Sequence, residues 1–487
     1  MSSSATTPVD KQPPSATPKN ALDRFFKLSE RGSDVPREIR GGLATFFAMA
    51  YIIVLNPIIL SAGRDMYGHQ LDMGQLITAT ALMAGLSTVL MGIIGNVPIA
   101  LAAGLGINAV VSLQLAPEMS WPDAMGMVVL AGFVLMILVA SGLRQRVLDA
   151  IPSGLRRAIA IGIGMFITLI GLVDSGFVTR NPDSAETTVP LGLGMGGRLE
   201  GWPVLVFVLG LALTFVLVIR KTKGAILISI TVMTVVAIIV NAFADVPEGA
   251  WGLTTPAVPG SIVGTPDFGL IGEISLFGGF AKVGLLTGCL FVFTVLLSGF
   301  FDAMGTIIGV GEEAGLTDEE GQLPGMGRIL MVDGAAVAAG GFGSASATTC
   351  FVESTAGVGE GARTGLANLV TGGLFLLALV FTPLALIVPS QAATPALVVV
   401  GFLIMATNIR GIDWNDFTVA APAFLTMISM PFTYSITNGI GIGVLSFILL
   451  RAATGQVRTV PWLLKAVGAC FLVYFLLGPI EQALGAG

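Results

Sequence analysis

The sequence predicts an all-α polytopic membrane protein of 14 transmembrane segments arranged as two inverted repeats of seven. Three observations carry that expectation: an apolar composition, fourteen apolar runs joined by short loops, and paired motifs that recur at a near-constant offset. Of 487 residues, 54% are hydrophobic and 11% charged, less than half the roughly 25% charge of a soluble chain. Each helical crossing needs ~20 apolar residues, so nearly the whole chain is taken up by spans. A formal charge of −6, from 24 basic and 30 acidic residues without a basic block, argues against nucleic acid as a partner. Cys289, Cys350 and Cys470 lie in apolar stretches and His69 is the only histidine. That inventory supports neither a disulfide framework nor a metal site, and no cofactor is expected.

In chain order, residues 1–20 are rich in Ser, Thr and Pro and read as a disordered tail without a signal peptide. Residues 21–40 set Arg24, Lys27, Arg31, Arg37 and Arg40 beside Phe25, Phe26 and Leu28, a basic amphipathic approach that places the N-terminus in the cytoplasm. Apolar runs follow at 42–62, 75–97, 98–115, 121–143, 153–175, 202–219, 223–243, 281–309, 328–343, 344–360, 364–388, 392–409, 415–431 and 436–453. Alternating them puts Arg144, Arg146, Arg220, Lys221, Lys223, Arg363, Arg410, Arg451 and Arg458 inside, and Asp245, Glu248, Asp267 and Glu273 outside. The acidic loop 310–328 also falls inside, which the rule tolerates because acidic residues count little. A last stretch, 466–479, is either an interfacial helix or a fifteenth crossing.

Gly42-Leu43-Ala44-Thr45 recurs as Gly284-Leu285-Leu286-Thr287, 242 residues later, and Ile151-Pro152-Ser153 as Val388-Pro389-Ser390, 237 residues later. Seven spans per half give the halves opposite orientation, hence inverted repeats; one irregular bundle is the alternative. The third run of each half is short and broken by glycine: Gly104 and Gly106 before Asn108, and Gly341 and Gly343 with Ser344, Ser346, Thr348 and Thr349 before Glu353. Matching discontinuous segments point to a transporter binding site, whereas glycines alone serve close helix packing.

Asp302, Asp333 and Glu353 lie inside apolar runs without a basic residue at comparable depth. A charge there costs about 2.5–3.5 kcal/mol on insertion scales, so such acids mark function. They suit proton transfer and hydrogen bonding to an N–H-rich substrate. Asp333, about five residues into its span, fits a structural role equally well. His69 reads as an external loop residue.

The stretches REIRGGLATFFAMAYIIVLNPIILSAG, NVPIALAAGLGINA, FFDAMGTIIGVGEEAGLTDEEGQLP, CFVESTAGVGEGARTGL and PLALIVPSQAATPALVVVGFLIM resemble the AzgA-like branch of the nucleobase:cation symporter-2 permeases, from about residue 37 to beyond 450. The resemblance implies a UraA-like fold with a core domain (37–143 and 267–390, spans 1–4 and 8–11) and a gate domain (144–266 and 391–487, spans 5–7 and 12–14), preceded by the tail and approach, 1–36. It implies proton-coupled uptake of guanine, hypoxanthine or adenine across the cytoplasmic membrane, not enzymatic activity. Its partners are a purine base, a proton and the lipid bilayer, and homodimers are common in that fold. Carried over by motif, the substrate contacts are Asn108 with Ala109, Asp302 with Thr306 one turn on, and Glu353 with Val352; Asp302 and Glu353 are the proton-coupling candidates.

The chain departs from the family pattern in places. Gly299 stands where many members carry a second aspartate, and Ala303 follows Asp302 as in the guanine/hypoxanthine branch, the direction in which the pattern leans. Ala103 replaces the usual proline of the third segment, and Val110 an aromatic that would offer a stacking surface. Xanthine, uracil or another heterocycle is the alternative cargo. An intramembrane aspartyl protease is a remote one, because its Gly-Leu-Gly-Asp type motif is absent.

Overall fold

The computed structural model describes residues 18, 20–142, 150–181, 190–194, 197–244, 246–247, 249–252, 254–317, 323 and 325–484, excluding the side chains of 301, 302, 305 and 477–484. Residues 1–17, the tail expected to be disordered, lie outside the described residues, as do Arg144 and Arg146, Asp245, Glu248 and the acidic residues 318–320.

Every apolar run corresponds to a segment in order: α1 (Val35–Ala62), α2 (Met73–Gly95), α4 (Trp121–Ala140), α5 (Ser153–Asp174), α6 (Trp202–Ile219) and α7 (Ala225–Phe243) in the first half. The second half holds α8 (Leu285–Glu313), α9 (Met326–Phe342), α11 (Leu366–Leu386), α12 (Ser390–Gly411), α13 (Phe417–Phe432) and α14 (Ile436–Ala453). The third and tenth segments are not continuous helices. The third is strand β1 (Leu101–Ala103) followed by α3 (Leu105–Val110), and the tenth is strand β4 (Thr348–Cys350) followed by α10 (Thr355–Gly359). Strands β2 (Val178–Arg180) and β3 (Leu191–Leu193) form a hairpin between α5 and α6. Among the described residues nine helices are long and apolar enough to cross a membrane.

Helix starts follow local chemistry. Asp34 caps α1 by accepting from the Arg37 amide, with Pro36 in the first turn, so the helix begins earlier than hydropathy alone predicts and takes up Arg37 and Arg40. Asp72, Ser120 and Ser435 cap α2, α4 and α14 in the same way, satisfying amides that a helix start leaves open. The final apolar stretch is longer than expected: α15 runs from Trp462 to Leu484, 23 residues, starting directly after Pro461. The basic approach is folded onto the bundle. Phe26 and Leu28 are buried against Leu366, and the Arg31 guanidinium donates to the carbonyls of Asn96 and Arg363.

Packing repeats with the period of seven spans. α2 lies on α11 as α9 lies on α4; α1 packs on α11 as α8 on α4. α5 meets α13 as α12 meets α6, and α6 meets α7 as α13 meets α14. The pair α5–α12 is its own counterpart. There Gly164 faces Gly401, 237 residues on, and a Cβ at Gly164 would lie 2.8 Å from the Gly401 carbonyl. Small residues let backbones touch where lipid gives no hydrophobic drive between helices. Buried polar groups then fasten the ends. The fully buried Glu38 of α1 accepts from the amides of Arg363, Thr364 and Ala367 at the start of α11.

Candidate functional site

The broken segments meet through their strands. β1 pairs antiparallel with β4, Leu101 opposite Cys350, Ala102 opposite Thr349 and Ala103 opposite Thr348. The ladder extends at both ends, with the Gly104 amide donating to the Ala347 carbonyl and the Phe351 amide to the Ala100 carbonyl, each at 2.9 Å. The Ser354 hydroxyl accepts from the Ala100 amide at 3.0 Å. Because the strands are antiparallel, α3 and α10 leave opposite ends of the ladder, as an inverted repeat requires. Irregular backbone at membrane depth survives only where such pairing satisfies it.

Asn108 lies on α3, is fully buried, and neither its side-chain nitrogen nor its oxygen has a hydrogen-bond partner. An unsatisfied buried polar group costs about 1–3 kcal/mol, so an amide with both donor and acceptor open asks for a ligand. Its neighbour Ala109 is fully buried and contributes packing. Gly106 brings α3 against α5: a Cβ there would lie 2.5 Å from Ile163 Cγ2.

Glu353 sits on the other arm, in the 3-10 turn Val352–Ser354 between β4 and α10. It is half-buried, while Val352 is 57% exposed. Its Oε1 accepts a hydrogen bond from the Tyr51 hydroxyl. Tyr51 belongs to the turn that interrupts α1, and its side chain is buried.

α8 packs against α3, the Val352–Ser354 turn and α10, so the helix bearing Asp302 touches both arms. The Asp302 side chain lies outside the described residues. Thr306, one turn on, is buried, and so is Ser298, one turn before, whose hydroxyl has no partner. Gly299 borders Ile107: a Cβ there would lie 3.2 Å from Ile107 Cδ1, so a larger side chain at 299 displaces the tip of the Ile107 side chain.

Asp333 is placed differently. It is fully buried on α9, and its Oδ1 accepts from the Thr349 hydroxyl at 3.1 Å and the Cys350 thiol at 3.4 Å. Asp333 therefore braces β4 from behind. His69 has a largely exposed side chain beside Asp65 and borders a cavity of about 230 Å³ that also touches Trp121, Glu273 and Ser344. Neither Asn108 nor Glu353 lines that cavity.

Sequence reasoning missed Tyr51, Ser298 and Gln114. Tyr51 is a hydroxyl within the apolar run 42–62, and Ser298 stands at helical spacing from Asp302; both signals were present. Gln114 carried the same kind of signal, a polar residue within the apolar run 98–115. Its Oε1 accepts from the Ser435 hydroxyl of the α14 start at 3.2 Å, and the Thr437 hydroxyl, 3.2 Å from the same Oε1 and 3.1 Å from the Thr294 hydroxyl of α8, donates its single proton to one of the two.

The sequence profile of the family described as Permease family (Xan_ur_permease) matches residues 36–442. Among characterised relatives, the guanine/hypoxanthine permease PbuG of Bacillus subtilis (strain 168) is 37% identical over 460 residues, covering 93% of this chain and 99% of that protein. The adenine permease AdeQ of Escherichia coli (strain K12) is 37% identical over 460 residues, covering 94% of this chain and 96% of that protein. Of solved structures, the transmembrane domain of the cyanobacterial bicarbonate transporter BicA superposes with a TM-score of 0.59 at 15% identity, covering 84% of this chain and 97% of that one. That likeness shows the fold alone. With its sequence relatives matched over nearly their whole length, the chain belongs to the nucleobase:cation symporter-2 type of permease family and is a polytopic membrane transporter, not an enzyme.

Proposed function

We propose that the protein imports purine nucleobases, guanine and hypoxanthine foremost and adenine as a further substrate, together with a proton. The observation that carries this reading is the open amide of Asn108, on one arm of the strand pair whose other arm bears Glu353. A purine offers N–H donors and ring-nitrogen acceptors on the same edge, and an amide with a carboxylate matches both kinds. The relatives named for guanine, hypoxanthine and adenine support the substrate class.

Asn108, Ala109, Asp302, Thr306, Val352 and Glu353 are the proposed contacts, with Asp302 and Glu353 as proton carriers and Tyr51 holding the Glu353 carboxyl in place. The proposed core domain is α1–α4 with α8–α11, and the gate domain α5–α7 with α12–α14. The packing of α1 and α2 on α11, and of α5 on α12 and α13, supports that division. Base and proton enter from outside, the core moves against the gate, and both are released within. The membrane potential adds ~2.3 kcal/mol per charge per 100 mV to that step. The basic residues Arg24, Arg31 and Arg37 support a cytoplasmic N-terminus in the cell membrane.

The test is uptake of radiolabelled hypoxanthine, guanine, adenine, xanthine and uracil by cells lacking their own base permeases, with and without a proton uncoupler. Uncoupler-sensitive accumulation of a purine is the expected result, and Glu353→Gln abolishes accumulation at an unchanged membrane level of protein. Accumulation that ignores the uncoupler, or wild-type uptake by Glu353→Gln, defeats the corresponding part of the proposal.

A further inference from the structure

A second cavity, of about 190 Å³ and open to the surface, lies where α4 and α8 face α5 and α14, with the start of α15 along a further side. Val134, Leu296, Ile159, Val444, Leu464 and Val467 are among its lining side chains, and every residue lining it is apolar. No group there can hydrogen-bond a base, and apolar cavities of ~150 Å³ stay dry and accept apolar guests. α15 lies beyond the fourteen paired segments and packs on both α14 and α8. Its opposite face is apolar and exposed, with Trp462 77% and Leu472 50% exposed, a surface suited to lipid. Arg458 lies four residues before the start of α15 and Lys465 stands among the α15 residues that line the cavity, Leu463, Leu464 and Val467, and residues 417–480 contain no acidic side chain. Arg451, the remaining cation of that stretch, is already engaged by Asp416 at 3.2 Å.

We propose that this cavity holds an acyl chain of an anionic phospholipid, with Arg458 and Lys465 meeting the headgroup phosphate. Apolar lining supplies the site for the chain, and Arg458 and Lys465, which form no ion pair among the described residues, select the headgroup. Because the lining comes from helices of both packing groups, the chain bridges them at the edge where α15 crosses.

The test uses the full chain purified in mild detergent, with bound lipid counted by native mass spectrometry after delipidation and after adding back phosphatidylglycerol or phosphatidylcholine. The wild type is expected to retain about one phospholipid and to favour phosphatidylglycerol at least fivefold. Val467→Phe, which fills the cavity, loses the retained lipid, and Val134→Phe does the same from the opposite wall should the first variant fail to fold. The double variant Arg458→Gln/Lys465→Gln leaves the cavity intact and loses the headgroup preference. Absence of retained lipid in the wild type, equal retention by a folded filling variant, or an undiminished preference in the double variant overturns the proposal. Base uptake does not enter the readout, so this result is independent of the substrate assignment.

Discussion

Asn108 is the residue proposed to trade stability for binding. Its amide is fully buried and both polar atoms are open, so the folded protein carries a desolvation cost of about 1–3 kcal/mol that a bound ligand relieves. Asn108→Leu, close in volume, is therefore expected to raise the thermal unfolding temperature while abolishing base uptake. A detergent-solubilised melt paired with an uptake assay reads both effects, and a destabilised variant would show that the amide has a structural partner. Glu353 is the contrasting case, since the Tyr51 hydroxyl already occupies Oε1 and the second oxygen is the one proposed to meet a ligand. Asp333 spends its Oδ1 on Thr349 and Cys350 of β4, which ties the acid to the strand, while its buried Oδ2 has no partner.

Glycine content matters at the scale of elements. The chain has 64 glycines, and the informative ones are those where two helices meet backbone to backbone. At the α5–α12 crossing a Cβ on Gly164 would come within 2.8 Å of the Gly401 carbonyl, which cannot move without disturbing its helix. Gly164→Leu is expected to cost about 1–3 kcal/mol by overpacking, seen as a lowered melting temperature and reduced membrane yield. Gly373 on α11, where an added Cβ meets nothing within 4 Å, is the control: Gly373→Leu leaves both close to wild type. The comparison separates tight packing from a general intolerance of larger residues.

At the scale of the whole molecule, few side chains among the described residues tie one packing group to the other. Gln114 of the third segment joins Ser435 and Thr437 of α14, and Lys223, between α6 and α7, pairs with Glu360 at the end of α10. The second pair is partly exposed, its side chains 67% and 25% accessible, and such pairs contribute about 0–1 kcal/mol. Glu360→Lys is therefore expected to change the initial uptake rate by no more than about fivefold, the factor that 1 kcal/mol represents. Adding Lys223→Glu restores the rate, and raised ionic strength shrinks the difference. An effect of a hundredfold, or one that the reversed pair does not repair, would mean that Glu360 acts on something other than Lys223.

What the sequence by itself determined is the set of segments and their family. Membrane spans announce themselves locally, because each must be apolar over its own length, and the break at Gly104 lies in the same local record; Gly341 and Gly343, expected to break the tenth segment, instead lie in the end of α9 and at its cap, and the tenth segment breaks after β4. Asn108 and Glu353 were legible for that reason, as polar residues beside breaks in apolar runs. Tertiary structure alone decided what each polar group does, since a hydrogen bond between distant segments leaves no periodic trace. Tyr51 reaches a carboxylate 302 positions away, Gln114 reaches a helix start 321 positions away, and Asp333 turns to the strand behind it. The candidate site lies where the two halves of one chain exchange three residues of β-ladder, and that contact exists only once both halves have folded.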